Sequence, residues 1–181
     1  KSSYSATVTA TDGTNSTTQD ITVSVTNLND NAPVFTSSAT FSAAENQTVI
    51  GTISASDADG DAVIYSINGA DAASISINSS SGVLAFISAP DYETKTSYAL
   101  TATASDGVNS INQSITINIS DLNDNSPVFT SSATFSAAEN QTSIGTVTAT
   151  DADATDSITF SISGTELSIT SAGVLTFASA P

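Results

Sequence analysis

The chain has 181 residues, 39 % of them hydrophobic, with 18 acids against two bases, Lys1 and Lys95, and a formal net charge of −16. With no basic patch to neutralise phosphates, nucleic acid and anionic membrane surfaces are excluded as partners. Cys and His are both absent, which removes disulfides, thiolate or imidazole metal sites and histidine-dependent nucleophilic catalysis.

In chain order, Tyr4, Ala6, Val8 and Ala10 alternate with Ser and Thr, as do Ile21, Val23 and Val25. Further on, Val63, Tyr65 and Ile67 alternate, then Tyr98, Leu100, Ala102 and Ala104, then Ile115, Ile117 and Ile119. Alternation of period two predicts half-buried antiparallel strands, and the Thr, Val and Ile that dominate suit a pleated surface. Turn signals at Asp59-Gly60, Asn68-Gly69, Ser81-Gly82 and Asp106-Gly107 separate the runs. There is no helical periodicity of useful length and no apolar run long enough to cross a membrane, so no direct membrane insertion is expected. Seven or so short strands in about 94 residues read as an all-β sandwich.

The sequence repeats itself. Pro33 to Thr48 is identical to Pro127 to Thr142, and Asp57-Ala58-Asp59 recurs as Asp151-Ala152-Asp153, both at an offset of 94. Ala10-Thr11-Asp12-Gly13 returns at the same offset as Ala104-Ser105-Asp106-Gly107. The predicted organisation is therefore residues 1–29 as the C-terminal part of one repeat, 30–123 as a complete repeat, and 124–181 as the N-terminal part of the next. The chain reads as a window on a longer array, the alternative being ends completed in trans by strand donation.

The acids cluster. Thirteen of the 18 fall at Glu45, Asp57 and Asp59, Asp91 and Glu93, Asp106, Asp121 and Asp124, or at their repeat equivalents. Two joint segments, Asn27-Leu28-Asn29-Asp30-Asn31-Ala32-Pro33-Val34-Phe35 and Asp121-Leu122-Asn123-Asp124-Asn125-Ser126-Pro127-Val128-Phe129, add further side-chain oxygens. Two carboxylates about 5 Å apart repel by roughly 3 kcal/mol at an effective dielectric of about 20, so a joint built this way calls for a divalent cation. An oxygen-only, carboxylate-rich ligand set is what Ca²⁺ prefers.

Asp121 to Phe129 resembles the DxNDNxPxF linker of cadherin repeats. Ala44-Glu45-Asn46 is similar to their XEX element, Asp91-Tyr92-Glu93 to their DRE, Asp57-Ala58-Asp59 to their DxD, and Ala104-Ser105-Asp106-Gly107 to their AxDxG. The resemblance covers the whole chain in the family's order. It implies tandem Greek-key, immunoglobulin-like β-sandwiches with Ca²⁺ at each joint.

Carried over by position, the second joint takes Glu45, Asp91, Glu93, Asp121, Asn123, Asp124, Asp151 and Asp153, with the carbonyls of Leu122 and Asn125. The first takes Asn29, Asp30, the Asn31 carbonyl, Asp57, Asp59 and Asp106. Asn27 and Tyr92 depart from the family pattern, standing where it has Asp and Arg. The short Gly60-Asp61-Ala62 loop, the 61 Ser and Thr, and the near-identical repeats look more like bacterial cadherin-like arrays than animal adhesion receptors.

The expected function is a calcium-stiffened extracellular stalk, filament or adhesin segment at the cell surface. Its expected partners are neighbouring repeats, and identical chains in a filament or other cell-surface molecules. Homophilic adhesion and glycan binding are the rival readings. An EF-hand fails at Asp57 because the twelfth residue is Asn68 rather than Glu. A glycosidase pair at Asp91 and Glu93 would need a cleft with aromatic platforms that the strand pattern does not supply. Asp20, Asp61, Asp71, Asp156 and Glu166 read as solvated loop charges.

Overall fold

The computed structural model describes residues 1–153 and 156–181. Its first segments are a hairpin, β1 (Ser3–Thr11) and β2 (Ser16–Ser24), paired antiparallel from Ser3↔Ser24 to Thr11↔Ser16. Nine short strands follow in the middle repeat. They are β3 (Val34–Phe35), β4 (Thr40–Ala44), β5 (Val49–Thr52), β6 (Ala55–Ser56), β7 (Ile64–Asn68), β8 (Ile75–Ile77), β9 (Val83–Phe86), β10 (Ser97–Ser105) and β11 (Ser110–Ser120). The last repeat carries β12 (Val128–Phe129), β13 (Ser143–Thr146), β14 (Ala149–Thr150), β15 (Leu167–Ile169) and β16 (Val174–Phe177). Among the described residues the one helical piece is a single 3₁₀ turn, Ala72–Ser74.

Nine segments stand where seven or so strands were expected, because two runs change partners along their length. β3 pairs with β6, whereas β4 joins the sheet ordered β4-β11-β10-β7; β5 belongs to the sheet ordered β5-β9-β8. The last repeat echoes this with β12-β14 and β13-β16-β15. A register shift between Val49 and Gly51 recurs between Ser143 and Gly145. At each place an added Cβ would lie 2.9 Å from a ring carbon, of Phe41 or of Phe135, so the missing side chain lets the ring pack on the bulge.

By contact the chain forms two compact units: Lys1–Phe41, Val49–Ile87 and Ala99–Thr116; and Ser42–Thr48, Ser88–Tyr98 and Ile117–Pro181. In the first, Ile50, Ile53, Tyr65, Ile75, Leu84, Phe86, Leu100, Ala102, Ala104 and Ile115 are buried. The alternation read from Tyr98 to Ala104 thus becomes the inward face of β10, and the Tyr65 hydroxyl accepts the Ala55 N–H at 2.8 Å. In the second unit Ala43, Ile117, Ile119 and Leu175 are buried. Ile115, Ile117 and Ile119 alternate with exposed Ser, Thr and Asn along β11, the pattern a half-buried strand requires.

Two expectations need correction. Tyr4, Val8, Ile21 and Val23 do lie on a hairpin, but every residue of β1 and β2 is exposed, because among the described residues no second layer lies against that apolar face; Val25, just after β2, is exposed as well. Asp71 is not simply solvated: its carboxylate accepts the Ala99 N–H at 2.8 Å and so ties the 3₁₀ turn to β10.

Candidate metal centres

The second joint lies wholly within the second unit. Glu45 follows β4 and is only 2 % exposed. Its Oε1 accepts the Leu122 N–H and its Oε2 the Tyr92 N–H, each at 2.8 Å, so one carboxylate fixes both the joint and the Asp91–Glu93 loop. A buried anion is tolerable only with such compensation. Asn46 takes a left-handed φ of 60°. That conformation directs its N–H to the Pro90 carbonyl at 3.0 Å while its amide donates to the Asp124 carboxylate.

Asp121 is the unresolved charge. Both its carboxylate oxygens are buried, and among the described residues neither has a hydrogen-bond partner. Desolvation, then the charges of Asp153, Glu45, Asp156 and Asp124, hold its carboxyl above the ordinary range. Oxygens of Glu45, Glu93 and Asp121 lie within 4.8 Å of one another, as do those of Glu93, Asp124 and Asp153. The Glu93 backbone N–H pulls that carboxyl down. Desolvation, the charges of Glu45 and Asp153, and a hydrogen bond with Asp91 outweigh it, and the net shift is upward.

Asp153, 2 % exposed, is held by the linker itself: Asn125 gives its backbone N–H to Oδ2 and its amide to Oδ1, both at 2.9 Å. The Asn125 amide is the largest cause holding the Asp153 carboxyl below its usual value. Asp151 Oδ1 in turn accepts the Asp153 N–H at 3.1 Å. Asp91 is turned to its own loop, accepting the Thr94 N–H and hydroxyl at 3.0 Å, and the Thr94 hydroxyl leads the causes that lower its pKa. Asn123 is exposed on the bend between Leu122 and Asp124. Of the eight side chains expected at this joint, five fall into two carboxylate groups that share Glu93: Glu45, Glu93 and Asp121 in one, Glu93, Asp124 and Asp153 in the other. Asp91 and Asp151 orient neighbouring groups.

The first joint, within the first unit, repeats the linker geometry. Asn31 gives its N–H to Asp59 Oδ2 at 2.8 Å and its amide to Oδ1 at 2.9 Å, and Asp30 adds its N–H at 3.0 Å. These bonds, the Asn31 backbone first, hold the Asp59 carboxyl below its usual value. Asp57 Oδ1 accepts the Asp59 N–H at 2.8 Å, while its Oδ2 is buried without a partner among the described residues. Asp57, Asp59 and Asp61 bring one oxygen each within 4.8 Å of one another, so Asp61 belongs to the carboxylate group and is not merely a loop charge.

Asp106 faces inward to its own turn, with Oδ1 accepting the Asn109 N–H at 2.6 Å and the Val108 N–H at 2.7 Å. Desolvation pushes that carboxyl up, but these donors and the amides of Asn109 and Asn29 leave it below its ordinary value.

Two residues that carry this geometry escape a reading of acids alone. The Asn109 amide donates to Asn29 Oδ1 at 3.2 Å, to the Asn31 carbonyl at 3.1 Å and to Asp106 Oδ2 at 3.3 Å, binding the linker to the loop after β10. Asn46 links the Glu45 corner to Asp124. Each recurs at the repeat offset, as Asn15 and Asn140, and that was the available signal. Asn27, which departs from the acid at Asp121, gives its amide to the Asp59 carbonyl at 2.7 Å.

No family model matches the sequence. Mouse Protocadherin Fat 4 is 37 % identical over 161 residues, 81 % of this chain, and the chain spans about 3 % of that relative's length. Mouse Cadherin EGF LAG seven-pass G-type receptor 1 is 33 % identical over 150 residues, 76 % of this chain and 5 % of the relative. Among solved structures, the Protocadherin gammaB7 EC3-6 cis-dimer superposes with a TM-score of 0.76 at 30 % identity, covering 98 % of this chain and 51 % of that one. Mouse Cadherin-23 EC22-24 gives 0.73 at 26 % identity, covering 99 % and 64 %.

Proposed function

Because the chain belongs to the cadherin repeat family, whose members are extracellular β-sandwich segments of cell-surface proteins, we propose that it is a calcium-stiffened stalk or adhesin segment. Its repeats are bounded at 1–29, 30–123 and 124–181. One observation carries the reading: Asp121 buries two carboxylate oxygens without a partner beside Glu45, in a chain holding two bases. Glu45, Glu93, Asp121, Asp124 and Asp153 would hold Ca²⁺ at the second joint, and Asp57, Asp59 and Asp61 are the carboxylates available at the first. When bound, the ion supplies positive charge and oxygen coordination. The chain's own residues do the rest. Glu45 fixes the linker backbone, Asn125 and Asn31 orient Asp153 and Asp59, and Asn109 fastens the linker to the loop after β10.

The role is mechanical rather than enzymatic, in keeping with cadherin relatives, which are adhesive and structural segments. Short loops, Ser and Thr richness and near-identical repeats support an array of bacterial type serving attachment. Identical chains or other cell-surface molecules are the partners this role requires. Small-angle scattering in calcium and in chelator tests the reading. We expect a stiffer, longer particle in calcium and a smaller response in Asp124→Ala, which alters the second joint and leaves the first intact; a profile indifferent to chelator overturns it.

A further inference from the structure

Glu93, Asp124 and Asp153 bring oxygens within 4.8 Å of one another, and each oxygen of Asp124 already accepts a neutral amide. The Asn125 side chain donates to Oδ1 at 2.9 Å, and the Asn46 side chain donates to Oδ2. The two donors reach Asp124 from different places. Asn125 is its neighbour in the linker and also grips both oxygens of Asp153, so it aligns two carboxylates of the group with each other. Asn46 lies 78 residues earlier, at the corner between β4 and β5. Its bond therefore crosses from the body of the middle repeat to the linker, within the second unit.

The corner is built to present that amide. Asn46 has a left-handed φ of 60°, and its N–H is fixed on the Pro90 carbonyl at 3.0 Å. The identical sequence reproduces the corner at Asn140, with a φ of 64° and its N–H on the Pro181 carbonyl at 3.0 Å. Gly and Asn enter this region most readily, and of the two only Asn carries a side-chain donor. Glu45, the preceding residue, is tied to the Leu122 and Tyr92 N–H groups, which gives Asn46 a firm base. An amide hydrogen bears partial positive charge. Pointed at a carboxylate in a crowded acidic group, it does part of what a cation would do. Asp121 has no such donor among the described residues, whereas Asp124 has two. An ion that takes Asp124 and Asp153 as ligands sets its own charge against those amide hydrogens. Asn46, held from outside the linker, is the donor that can leave without disturbing the alignment of the two carboxylates.

We propose that the Asn46 side chain is a latch on the second joint: without a cation its amide stands in for one at Asp124, and cation entry displaces it. The inference rests on the calcium reading of this joint. A bond made only in the calcium-free state weakens binding by the factor by which it stabilises that state. For a hydrogen bond to a charged group that factor is about 10–100-fold. Asn46 thus raises the calcium concentration at which the joint loads, and keeps the joint closed below it.

Hydrogen exchange of the whole chain, in chelator and across a calcium titration, tests the latch. In the natural sequence the Leu122 backbone N–H, which meets Glu45 across the joint, should gain protection as calcium rises, while the Asn46 side-chain amide loses it. Asn46→Gly keeps the left-handed corner and removes the donor. Its Leu122 N–H should exchange about 10–100-fold faster in chelator, with β10 and β11 unchanged, and calcium should restore protection at a concentration lower by a similar factor. A variant that needs as much calcium or more overturns the proposal, because the amide would then be positioning Asp124 for the ion. So does a natural chain whose Asn46 amide stays protected once calcium is bound. Both of those results leave the calcium reading standing. A natural chain in which calcium alters no exchange overturns that reading and the latch with it.

Discussion

Asn27 and Asp121 occupy the same place in successive joints, and exchanging one for the type of the other separates a metal site from a polar turn. In the first joint the Asn27 amide donates to the Asp59 carbonyl at 2.7 Å. Asn27→Asp removes that donor and sets a carboxylate against a carbonyl oxygen. A neutral hydrogen bond at a solvent-exposed position contributes about 1 kcal/mol. For a unit of roughly 100 residues the same loss lowers the melting temperature by about 4–8 °C. The direction should reverse with calcium, because the new carboxylate adds an oxygen ligand beside Asp57 and Asp59. Thermal melts of Asn27→Asp and the natural chain, in chelator and in calcium, therefore decide the matter. The variant should melt lower in chelator and gain more from calcium than the natural chain does. Equal destabilisation in both conditions would show instead a joint that needs the amide and no cation.

Three further outcomes follow from the geometry. Gly82→Ala should cost more than about 2 kcal/mol in chemical denaturation, since its φ is +71° and a Cβ would lie 2.1 Å from the Ile53 carbonyl oxygen. Asn109→Ala should destabilise the first joint by about 1–3 kcal/mol through the partners it leaves unbonded. Faster hydrogen exchange at Asn29–Asn31, with β7–β9 unchanged, is the check.

The calcium-free chain should also show a stability maximum in acid. Glu93 and Asp121 have raised folded pKa values, so their contribution is full below the unfolded values, near 4.5 and 3.8, and is lost as pH rises through the folded ones. Asp59, Asp91, Asp106 and Asp153 are lowered, so theirs is present above 3.8 and lost as pH falls through the folded values. Denaturant midpoints across pH test this. A calcium-free chain that grows steadily more stable from pH 4 to 7 would contradict it.

Alternation alone made the strands legible: Leu100, Ala102 and Ala104, and Ile115, Ile117 and Ile119, point inward as period two requires. Whether a strand forms was less legible, because pairing depends on a partner distant in sequence. The identical segments at 33–48 and 127–142 show this most directly, one with β4 and one without. At the joints, acids could be found by type and spacing, but not the roles they take. Asp91 and Asp106 spend oxygens on their own turns, Asp61 joins Asp57 and Asp59, and neutral Asn46 and Asn109 tie linker to loop. Amides are common throughout a chain with 13 Asn. Only their contacts distinguish the ones that hold a joint.

In the proposed stalk, the unpartnered Asp121 carboxylate awaits a cation. Calorimetric titration of the natural chain and of Asp121→Asn with Ca²⁺ tests it most directly. We expect saturable binding in the natural chain, and binding at the second joint weakened by about 10–100-fold or more in the variant. Binding that is absent, or identical in the two chains, would contradict it.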